Sequence, residues 1–295
     1  MLQHSATATS LPERVVLLGA RGFVGSAIRQ RCEIRGLPVH AVAATDIDFT
    51  DRASAEALSA LFRRGDAIVF VSALTPDRGK DIATLMKNLA MAEHVCAALA
   101  AASGLVHVTY ISSDAVYEDA ASLVDEDSCC NPVSFHGVMH SAREKMLTET
   151  LRVTKVPLAI LRASLLYGAG DTHNGYGPNR FLRTAIKDGR ITVFGGGEEK
   201  RDHVYIEDVA AVVELCVQHR SAGVLNVATG CSHAFADVAE SIIRQLGGEI
   251  AIEHLPRSGA IAHRHFDPSA TYRSFPGFEY VALDEGLAAM IQRSR

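Results

Sequence analysis

The chain has 295 residues, of which 48% are hydrophobic and 21% charged, which is the balance of a globular protein with little extended disorder. Its 29 basic and 34 acidic side chains give a net charge of −5 without a basic cluster, so we expect no nucleic-acid partner. No apolar stretch is long enough to span a bilayer, and the first ten residues look unanchored and unlike a signal peptide. We therefore expect a cytoplasmic protein without a membrane partner.

Apolar, β-branched runs alternate with amphipathic stretches through the first half of the chain. The predicted strands are Arg14 to Leu18, Val39 to Ala44, Ala67 to Val71, Val106 to Ser112 and Leu158 to Arg162. The predicted helices are Phe23 to Arg35, Ala53 to Phe62, Asp81 to Ala102 and Phe135 to Leu151. This alternation predicts an α/β protein with a Rossmann-type, doubly wound parallel sheet.

The pattern changes after Tyr167, where glycine and other turn formers become common, and here we expect a smaller C-terminal substrate lobe. A helix from Glu207 to Gln218 and a strand from Val224 to Val227 look like a return to the main sheet. We therefore assign residues 11–168, with 204–230, to the Rossmann-type domain. The substrate lobe takes residues 169–203 and 231–295.

A glycine-rich turn joins the first predicted strand to the first predicted helix. It has a GxxGxxG pattern formed by Gly19, Gly22 and Gly25, with Arg21, Phe23 and Val24 between them. Such glycines permit a tight turn and a close approach of the backbone to a pyrophosphate, while the helix N-terminus offers free N–H donors. In this strand, turn and helix setting the pattern predicts that these residues bind a dinucleotide, NAD or NADP.

The position that distinguishes NAD from NADP is unusual here. The second strand ends in Ala43 and Ala44, where an NAD site commonly carries a carboxylate, and Asp46 lies slightly too far along the chain. Arg21 could pair with the 2′-phosphate of NADP, or it could be a solvated loop charge. The sequence therefore weakly favours NADP over NAD, and the only side chain that favours it is Arg21.

Four motifs occur in order along the chain, namely Gly19 to Gly25, Asp48 to Asp51, Ser112 to Tyr117 and Arg201 to Asp208. Together they resemble the extended short-chain dehydrogenase/reductase family, the NAD-dependent epimerases and dehydratases that modify nucleotide-linked sugars. The resemblance covers Arg14 to Leu287, which is nearly the whole chain. It implies an enzyme that binds a nicotinamide cofactor and a small-molecule substrate.

The resemblance also implies roles for residues that follow the predicted strands. Asp48 and Phe49 would lie along the adenine, and the cofactor cleft would be lined by Ser72, Ala73 and Leu74. Ser113 matches the family's catalytic hydroxyl, which hydrogen-bonds the substrate oxygen that is oxidised or reduced. A hydroxyl at the carboxyl end of a strand is well placed for that role, although Ser113 could also simply terminate the strand.

The chain departs from the family at the motif Tyr-x-x-x-Lys on the next helix. His136 stands at the tyrosine position and His140 at the lysine position. In the family the lysine lowers the pKa of the tyrosine and holds the nicotinamide ribose. Because the pKa of a free histidine lies near 6.5, His136 would need no lysine in order to exchange protons at neutral pH.

Three interpretations of the histidine pair remain open at this point. His136 and His140 lie one helical turn apart and face the same way. They could be a substituted proton-transfer pair, or part of a site that binds cofactor but has lost or changed its redox chemistry. They could also be metal ligands with His173 as a third, but no HExxH signature supports this and we predict no metal.

Further residues match substrate positions of the family. The strand and turn that end in Tyr167 and Gly168 resemble the segment beside the nicotinamide, and Asp114 follows the catalytic hydroxyl. Asn179 and Arg201 match positions that commonly hold the diphosphate of a nucleotide sugar, and a guanidinium suits that anion. Arg201 could instead form a surface ion pair with Asp202 or Glu207, and Arg264 is a second candidate for the same anion.

These matches favour an NAD(P)-dependent epimerase or keto-reductase that acts on a nucleotide-linked sugar through Ser113 and His136. Dehydration is less favoured, because dehydratases of the family tend to carry Asp-Glu after the catalytic hydroxyl, whereas Asp114 precedes Ala115 here. The alternatives are a catalytically silent NAD(P)-binding protein, as a sensor or partner subunit, and a reductase of a non-sugar carbonyl. The family's four-helix dimer implies a homodimer through the helices Asp81 to Ala102 and Phe135 to Leu151.

Overall fold

The computed structural model describes residues 2–6, 9–119 and 123–294. Strands and helices alternate along the first part of the chain, and the predicted bounds of these elements differ from the observed ones by a few residues. In chain order they are β1 (Gln3–His4), β2 (Arg14–Leu18), α1 (Phe23–Ile34), β3 (Val39–Val42), α2 (Ser54–Leu61), β4 (Asp66–Phe70), α3 (Ile82–Ala101), β5 (His107–Ser113), a 3-10 turn (Asp114–Val116), β6 (Leu123–Val124), α4 (Phe135–Thr154) and β7 (Leu158–Ala163).

The second part of the chain supplies shorter strands and five further helices among the described residues. They are β8 (Leu165–Tyr167), α5 (Pro178–Asp188), β9 (Arg190–Phe194), β10 (Lys200–Tyr205), α6 (Ile206–His219), β11 (Ser221–Val227), β12 (Ser232–Ala234), α7 (Phe235–Leu246), β13 (Ala251–Leu255), β14 (His265–Phe266), α8 (Ser269–Ser274) and α9 (Leu283–Ser294). Of the helices in the described ranges, none is long and apolar enough to cross a membrane.

The central sheet has seven strands in the order β1-β11-β7-β5-β4-β2-β3. All neighbouring strands are parallel except β1, which pairs antiparallel with β11. Apolar residues of α1 and α6 pack on one face, and those of α2, α3 and α4 pack on the other. Strands such as β2 are apolar along their length because both faces are covered. The predicted Rossmann-type doubly wound sheet is therefore confirmed.

The amino-terminal segment differs from the prediction, because part of it is anchored. Strand β1 adds to the edge of the sheet beside Ser221 and Ala222. The His4 ring lies 2.9 Å from the Ser221 hydroxyl and 2.9 Å from the Ser274 carbonyl oxygen. The sequence did not predict this two-residue strand, because the residues that His4 contacts lie more than two hundred positions away along the chain.

A second core is built from α5, α7 and α9. A three-stranded sheet has the order β12-β10-β8, while β13 pairs with β9 and β14 pairs with β6. Strand β8 begins two residues after β7 ends, so this sheet follows directly from the carboxyl edge of the central sheet. Open α/β sheets bind their ligands at this edge.

A buried polar network ties several elements together at that edge. The Ser112 hydroxyl donates to Glu144 at 2.6 Å, and the Arg162 guanidinium forms two hydrogen bonds to the same carboxylate at 2.7 and 3.0 Å. Arg162 also donates to the Tyr117 oxygen at 2.9 Å, and the Tyr117 hydroxyl donates to the Asn226 side chain at 2.7 Å. The network thus joins the ends of β5, α4, β7 and β11.

Removing Glu144 should destabilise the fold strongly, because it leaves the Arg162 charge buried without its partner. We expect Glu144→Ala to lower the free energy of unfolding by about 3–5 kcal/mol. On the same helix, the exposed pair of Glu149 and Arg152 provides a matched control, and Glu149→Ala should cost less than about 1 kcal/mol. Urea unfolding of both variants measures this, and equal losses would contradict a structural role for the network.

Candidate active site

The glycine turn between β2 and α1 is shaped by close packing. Gly19 has a φ of +106°, and a Cβ there would lie 2.8 Å from the Ser72 nitrogen at the end of β4. A Cβ on Gly25 would lie 2.1 Å from the Gly19 oxygen, whereas a Cβ on Gly22 would meet its nearest atom at an ordinary 3.5 Å. The turn therefore needs glycine at its first and third positions for its own packing, and the second position has room for a Cβ.

The N-terminus of α1 lies in this turn and fits a pyrophosphate. Gly22 is the N-cap residue and no side chain caps the helix, so its first N–H groups are left without an intrahelical partner. Backbone N–H donors and the positive end of the helix dipole together favour an anion. Phe23 and Val24 of the first turn line the adjacent cleft, which continues from the glycine turn.

The side chains predicted around the adenosine lie in different settings. The Arg21 guanidinium donates to the Thr45 hydroxyl at 3.0 Å, which places it beside the end of β3. Asp48 accepts hydrogen bonds from the Thr50 hydroxyl and backbone, and these bonds lower the pKa of its carboxyl. Phe49 is buried in the core below the sheet edge, so its side chain offers little surface to a ligand.

A cavity of about 350 Å³, which we call the central cleft, lies at the carboxyl edge of the sheet. Its lining includes Ala73, Ser113, His136, His140 and Asn179. The Ser113 hydroxyl accepts a hydrogen bond from the Ala115 backbone at 3.1 Å and lies 3.3 Å from an oxygen of Asp114. The structure therefore brings the predicted catalytic hydroxyl and both helix histidines into one cavity.

His136 and His140 form a perpendicular pair, with ring centroids 4.6 Å apart. Nδ1 of His140 lies 2.7 Å from the Tyr110 hydroxyl, and Nδ1 of His136 is buried without a hydrogen-bond partner. Burial, with smaller contributions from Arg143 and His173, lowers the pKa of His136 to about 4. Burial also lowers the pKa of His140 well below its usual value, so both rings are neutral at pH 7.

A fully buried arginine, Arg143, binds the backbone next to the cleft. The Arg143 guanidinium donates to the carbonyl oxygen of Ser72 at 2.8 Å and to that of Asn88 at 2.6 and 3.0 Å. The Asn88 side chain in turn holds both the N–H and the carbonyl of Leu74. Ser72 and Leu74 are thus fixed through their backbones, and Leu74 lines a neighbouring cavity that is shared with His136.

A further cavity of about 390 Å³ shares Leu165 and Tyr176 with the central cleft. Glu199 and Arg257 line it, and the Glu199 carboxylate lies 2.6 Å from Arg201 and 3.1 Å from Arg257. Arg201 lies next to this lining through its ion pair with Glu199, rather than with Asp202 or Glu207. Arg257 also pairs with Glu198 at 3.1 Å, so two guanidinium groups meet two carboxylates beside the cavity.

Two predicted substrate residues do not reach the cleft, and a third is already engaged. Tyr167 is fully buried in the core around α5, α7 and α9, with its hydroxyl near the Leu283 carbonyl. Arg264 is committed to Asp119 at 2.7 Å and to the Asp114 carbonyl at 2.9 Å, so it joins the lobe to the turn after β5. Asn179 lines the cleft, but its side-chain amide is already engaged. It accepts a hydrogen bond from the Gly168 N–H and donates one to the Gly168 carbonyl.

The sequence analysis did not identify two residues that line the cleft, Thr75 and His173, as a pair with a shared partner, Asp77. Thr75, Asp77 and His173 meet where the loop after β4 contacts the loop after β8, and Thr75 and His173 line the cleft. His173 entered the sequence analysis only as a metal ligand, yet within the described residues no group of three or more His, Cys, Asp or Glu could hold a metal. Tyr110 was also missed, because inside a buried strand it reads as a core residue.

Comparison with known proteins agrees with the geometry of the glycine turn and the cleft. A sequence model of the NAD dependent epimerase/dehydratase family matches residues 15–228. The chain belongs to this family. Members of the NAD dependent epimerase/dehydratase family are enzymes that use a nicotinamide cofactor, and the uncapped helix N-terminus beside Gly22 fits that cofactor.

Solved structures share the fold at low sequence identity. UDP-glucose 4-epimerase of Thermus thermophilus, in complex with NAD, is 20% identical, with a TM-score of 0.82 over 95% of this chain and 98% of its own. UDP-N-acetylglucosamine 4-epimerase of Methanobrevibacter ruminantium M1, in complex with UDP-N-acetylmuramic acid, is also 20% identical, with a TM-score of 0.83 over 96% and 98%. RMD of Pseudomonas aeruginosa, complexed with NADPH, is 21% identical, with a TM-score of 0.81 over 96% and 100%.

The glycine turn yields a pair of variants that separate packing from cofactor binding. Gly25→Ala forces its Cβ against Gly19 and should destabilise the protein by about 1–3 kcal/mol. Gly22→Ala has room in the folded chain and should cost less than about 1 kcal/mol, but its methyl group occupies the space that the pyrophosphate needs. We expect Gly22→Ala to weaken cofactor binding roughly tenfold or more, which corresponds to about 1.4 kcal/mol.

Thermal unfolding and titration calorimetry measure these two effects separately. Calorimetry suits this chain because it contains no tryptophan to report binding by fluorescence. Wild-type affinity in a well-folded Gly22→Ala variant would show that the pyrophosphate does not lie on this turn.

Proposed function

We propose that the protein is an NAD(P)-dependent epimerase or keto-reductase that acts on a nucleotide-linked sugar. The observation that carries this proposal is the shared wall of Leu165 and Tyr176 between the central cleft and the cavity at Arg201 and Arg257. A sugar in the cleft would lie beside Ser113 while the diphosphate lies at the guanidinium groups. This arrangement assumes the division into domain 11–168 with 204–230 and lobe 169–203 with 231–295.

In the proposed reaction the chemistry that the cofactor supplies is reversible hydride transfer at one sugar carbon. The Ser113 hydroxyl accepts from the Ala115 backbone and donates to Asp114, and on substrate binding its O–H would turn from Asp114 to the oxygen on that carbon. His136 faces the same cleft as a neutral ring, which can accept the hydroxyl proton. The Tyr110 hydroxyl, donating to Nδ1 of His140, would leave Nε2–H free to hold the nicotinamide ribose.

The proposed diphosphate site requires an exchange of partners. Glu199 now bridges Arg201 and Arg257, and a substrate diphosphate would take its place at both guanidinium groups. The fold relatives support a ligand of this type. The Methanobrevibacter ruminantium enzyme was solved with UDP-N-acetylmuramic acid, and the Thermus thermophilus enzyme with NAD.

For the cofactor we propose NADP rather than NAD. The Arg21 guanidinium and the Thr45 hydroxyl lie together at the end of β3, where the 2′ position of the adenosine ribose is read, and both suit a phosphate. The structural relatives leave both cofactors open, because RMD was solved with NADPH and the Thermus enzyme with NAD. The calorimetric titration above, repeated with both cofactors and with Arg21→Ala, compares them directly.

A nucleotide-sugar panel tests the substrate assignment. With cofactor present, at least one nucleotide sugar should raise the melting temperature, because a ligand that binds only the folded state stabilises it. Arg201→Ala should weaken that ligand by about tenfold or more, since a charge-assisted hydrogen bond is lost. Arg190→Ala is the matched control, because Arg190 lies in the same lobe in an exposed pair with Glu253 and should leave binding unchanged.

The absence of any shift with the whole panel would contradict the nucleotide-sugar assignment and favour a non-sugar carbonyl. Binding of both cofactor and sugar without turnover would favour a silent member whose histidine pair has replaced the redox chemistry.

We also propose that the protein forms a homodimer through α3 and α4. These helices pack on each other and leave apolar side chains exposed on their outer face, including Ile82, Met86, Phe135 and Val138. We expect light scattering to give twice the chain mass, and Met86→Lys combined with Val138→Lys to give the monomer. A monomeric wild type at micromolar concentration would contradict the proposed interface.

A further inference from the structure

Two loops meet at the mouth of the central cleft through one histidine. Nδ1 of His173 lies 2.8 Å from an oxygen of Asp77 and 3.1 Å from the Thr75 hydroxyl. The Thr75 hydroxyl donates to the same Asp77 oxygen at 2.7 Å, and the His173 backbone donates to Asp171 at 2.9 Å. Ring, carboxylate and hydroxyl therefore hold one another in a defined orientation.

His173 lines the cleft together with Ser113 and His136. Because Nδ1 of His173 faces Asp77 and Thr75, Nε2 is the ring nitrogen that remains for a bound ligand. We propose that His173 is an acid–base residue of this cleft, that it exchanges a proton with the bound substrate through Nε2, and that Asp77 is its positioning residue. This inference rests on the proposed function and deepens it.

The chemistry of the pair supports this role. A carboxylate that accepts the Nδ1 proton fixes the tautomer and stabilises the imidazolium that forms when Nε2 takes up a proton. His136 and His140 have no such partner, since Nδ1 of His136 is unpaired and Nδ1 of His140 faces a tyrosine hydroxyl. Of the three histidines in the cleft, His173 alone is therefore paired with a carboxylate among the described residues.

Charged and titratable groups face His173 from several neighbouring segments. Asp77 faces it from the loop after β4, and burial would raise the pKa of Asp77, but hydrogen bonds from Thr75 and His173 lower it below its usual value. Arg78 lies 3.6 Å from the other Asp77 oxygen. Asp171 lies on the same loop as His173 and is paired with Arg183 of α5, while His136 faces it from α4. Asp77 is thus the ionised group in direct contact with the ring.

The proton step is an exchange at the sugar hydroxyl, and in it His173 takes the place that the proposed function gives to His136, whose Nδ1 has no carboxylate partner. The O–H bond breaks, its proton forms an N–H bond at Nε2 of His173, and the Nδ1 proton stays between the ring and Asp77. The electron pair left on oxygen forms the carbonyl as the carbon gives its hydride to an oxidised nicotinamide dinucleotide. In the reverse direction His173 returns the proton to the oxygen when the hydride comes back.

The test compares His173→Gln and Asp77→Asn with His40→Gln, an exposed histidine outside the cleft. His173→Gln keeps a side chain that can donate to Asp77 but cannot exchange a proton. We expect it to lower kcat by about a hundredfold or more, with KM, cofactor affinity and melting temperature close to those of the wild type. His40→Gln should change none of these quantities.

A second measurement needs neither substrate nor cofactor. In histidine-labelled protein, nitrogen NMR shows which ring nitrogen of His173 carries the proton, with the signal identified as the one missing from His173→Gln. The wild type should carry it on Nδ1, facing Asp77, and Asp77→Asn should weaken this preference because the carboxylate acceptor is lost. The same tautomer populations in both proteins, or an unchanged kcat in His173→Gln, would overturn the inference.

The outcomes also separate this inference from the proposed function. A raised KM or a lowered melting temperature with kcat retained in His173→Gln would show that the contact only joins two loops. Lack of turnover by the wild type with every nucleotide sugar would count against the proposed function, and the NMR spectra would then decide whether Asp77 fixes the tautomer of His173.

Discussion

The close approach of backbone at the carboxyl edge of the sheet is the constraint on which the site depends. Gly19 has no space for a side chain against Ser72, and Gly25 has none against Gly19. These contacts fix the ends of β2 and β4 and the first turn of α1 relative to one another. The N–H groups of α1, the walls of the cleft and Ser113 at the end of β5 all take their positions from this junction.

Behind the junction lies a polar framework that makes the edge rigid. Arg143 binds carbonyl oxygens of Ser72 and Asn88, while Glu144 on the next position of α4 binds Ser112 and Arg162. Adjacent residues of one helix therefore hold the ends of β4 and β5 from below. A buried charge that is fully hydrogen-bonded in this way is costly to disturb, so helix α4 presents its two histidines from a fixed support.

The electrostatics of the histidine pair depend mainly on burial, which lowers the pKa of both rings, and the buried guanidinium of Arg143 lowers it further. The sequence indicated a histidine that titrates near neutral pH, because a free imidazole does so. Burial reverses that expectation at His136, and burial depends on packing that residue types and spacing do not reveal.

Other differences between sequence and structure have the same origin. Apart from β1, the strands of the central sheet and the glycine turn were predictable, since apolar runs and the backbone requirements of a tight turn show in short segments of sequence. Arg264 resembled an anion ligand, but its partners Asp114 and Asp119 lie about 150 positions away. The contact between Asp77 and His173 joins two loops whose residues are 96 positions apart, so it could not be predicted from a local sequence pattern.

The claim at the centre of this account is that the glycine turn places a nicotinamide ring beside Ser113 and His136. A crystal structure of the protein grown with cofactor tests it most directly. The account predicts density for a dinucleotide with its pyrophosphate at the Gly22 end of α1 and its nicotinamide in the central cleft. A cleft without dinucleotide at saturating cofactor, or a dinucleotide bound elsewhere on the molecule, would contradict it.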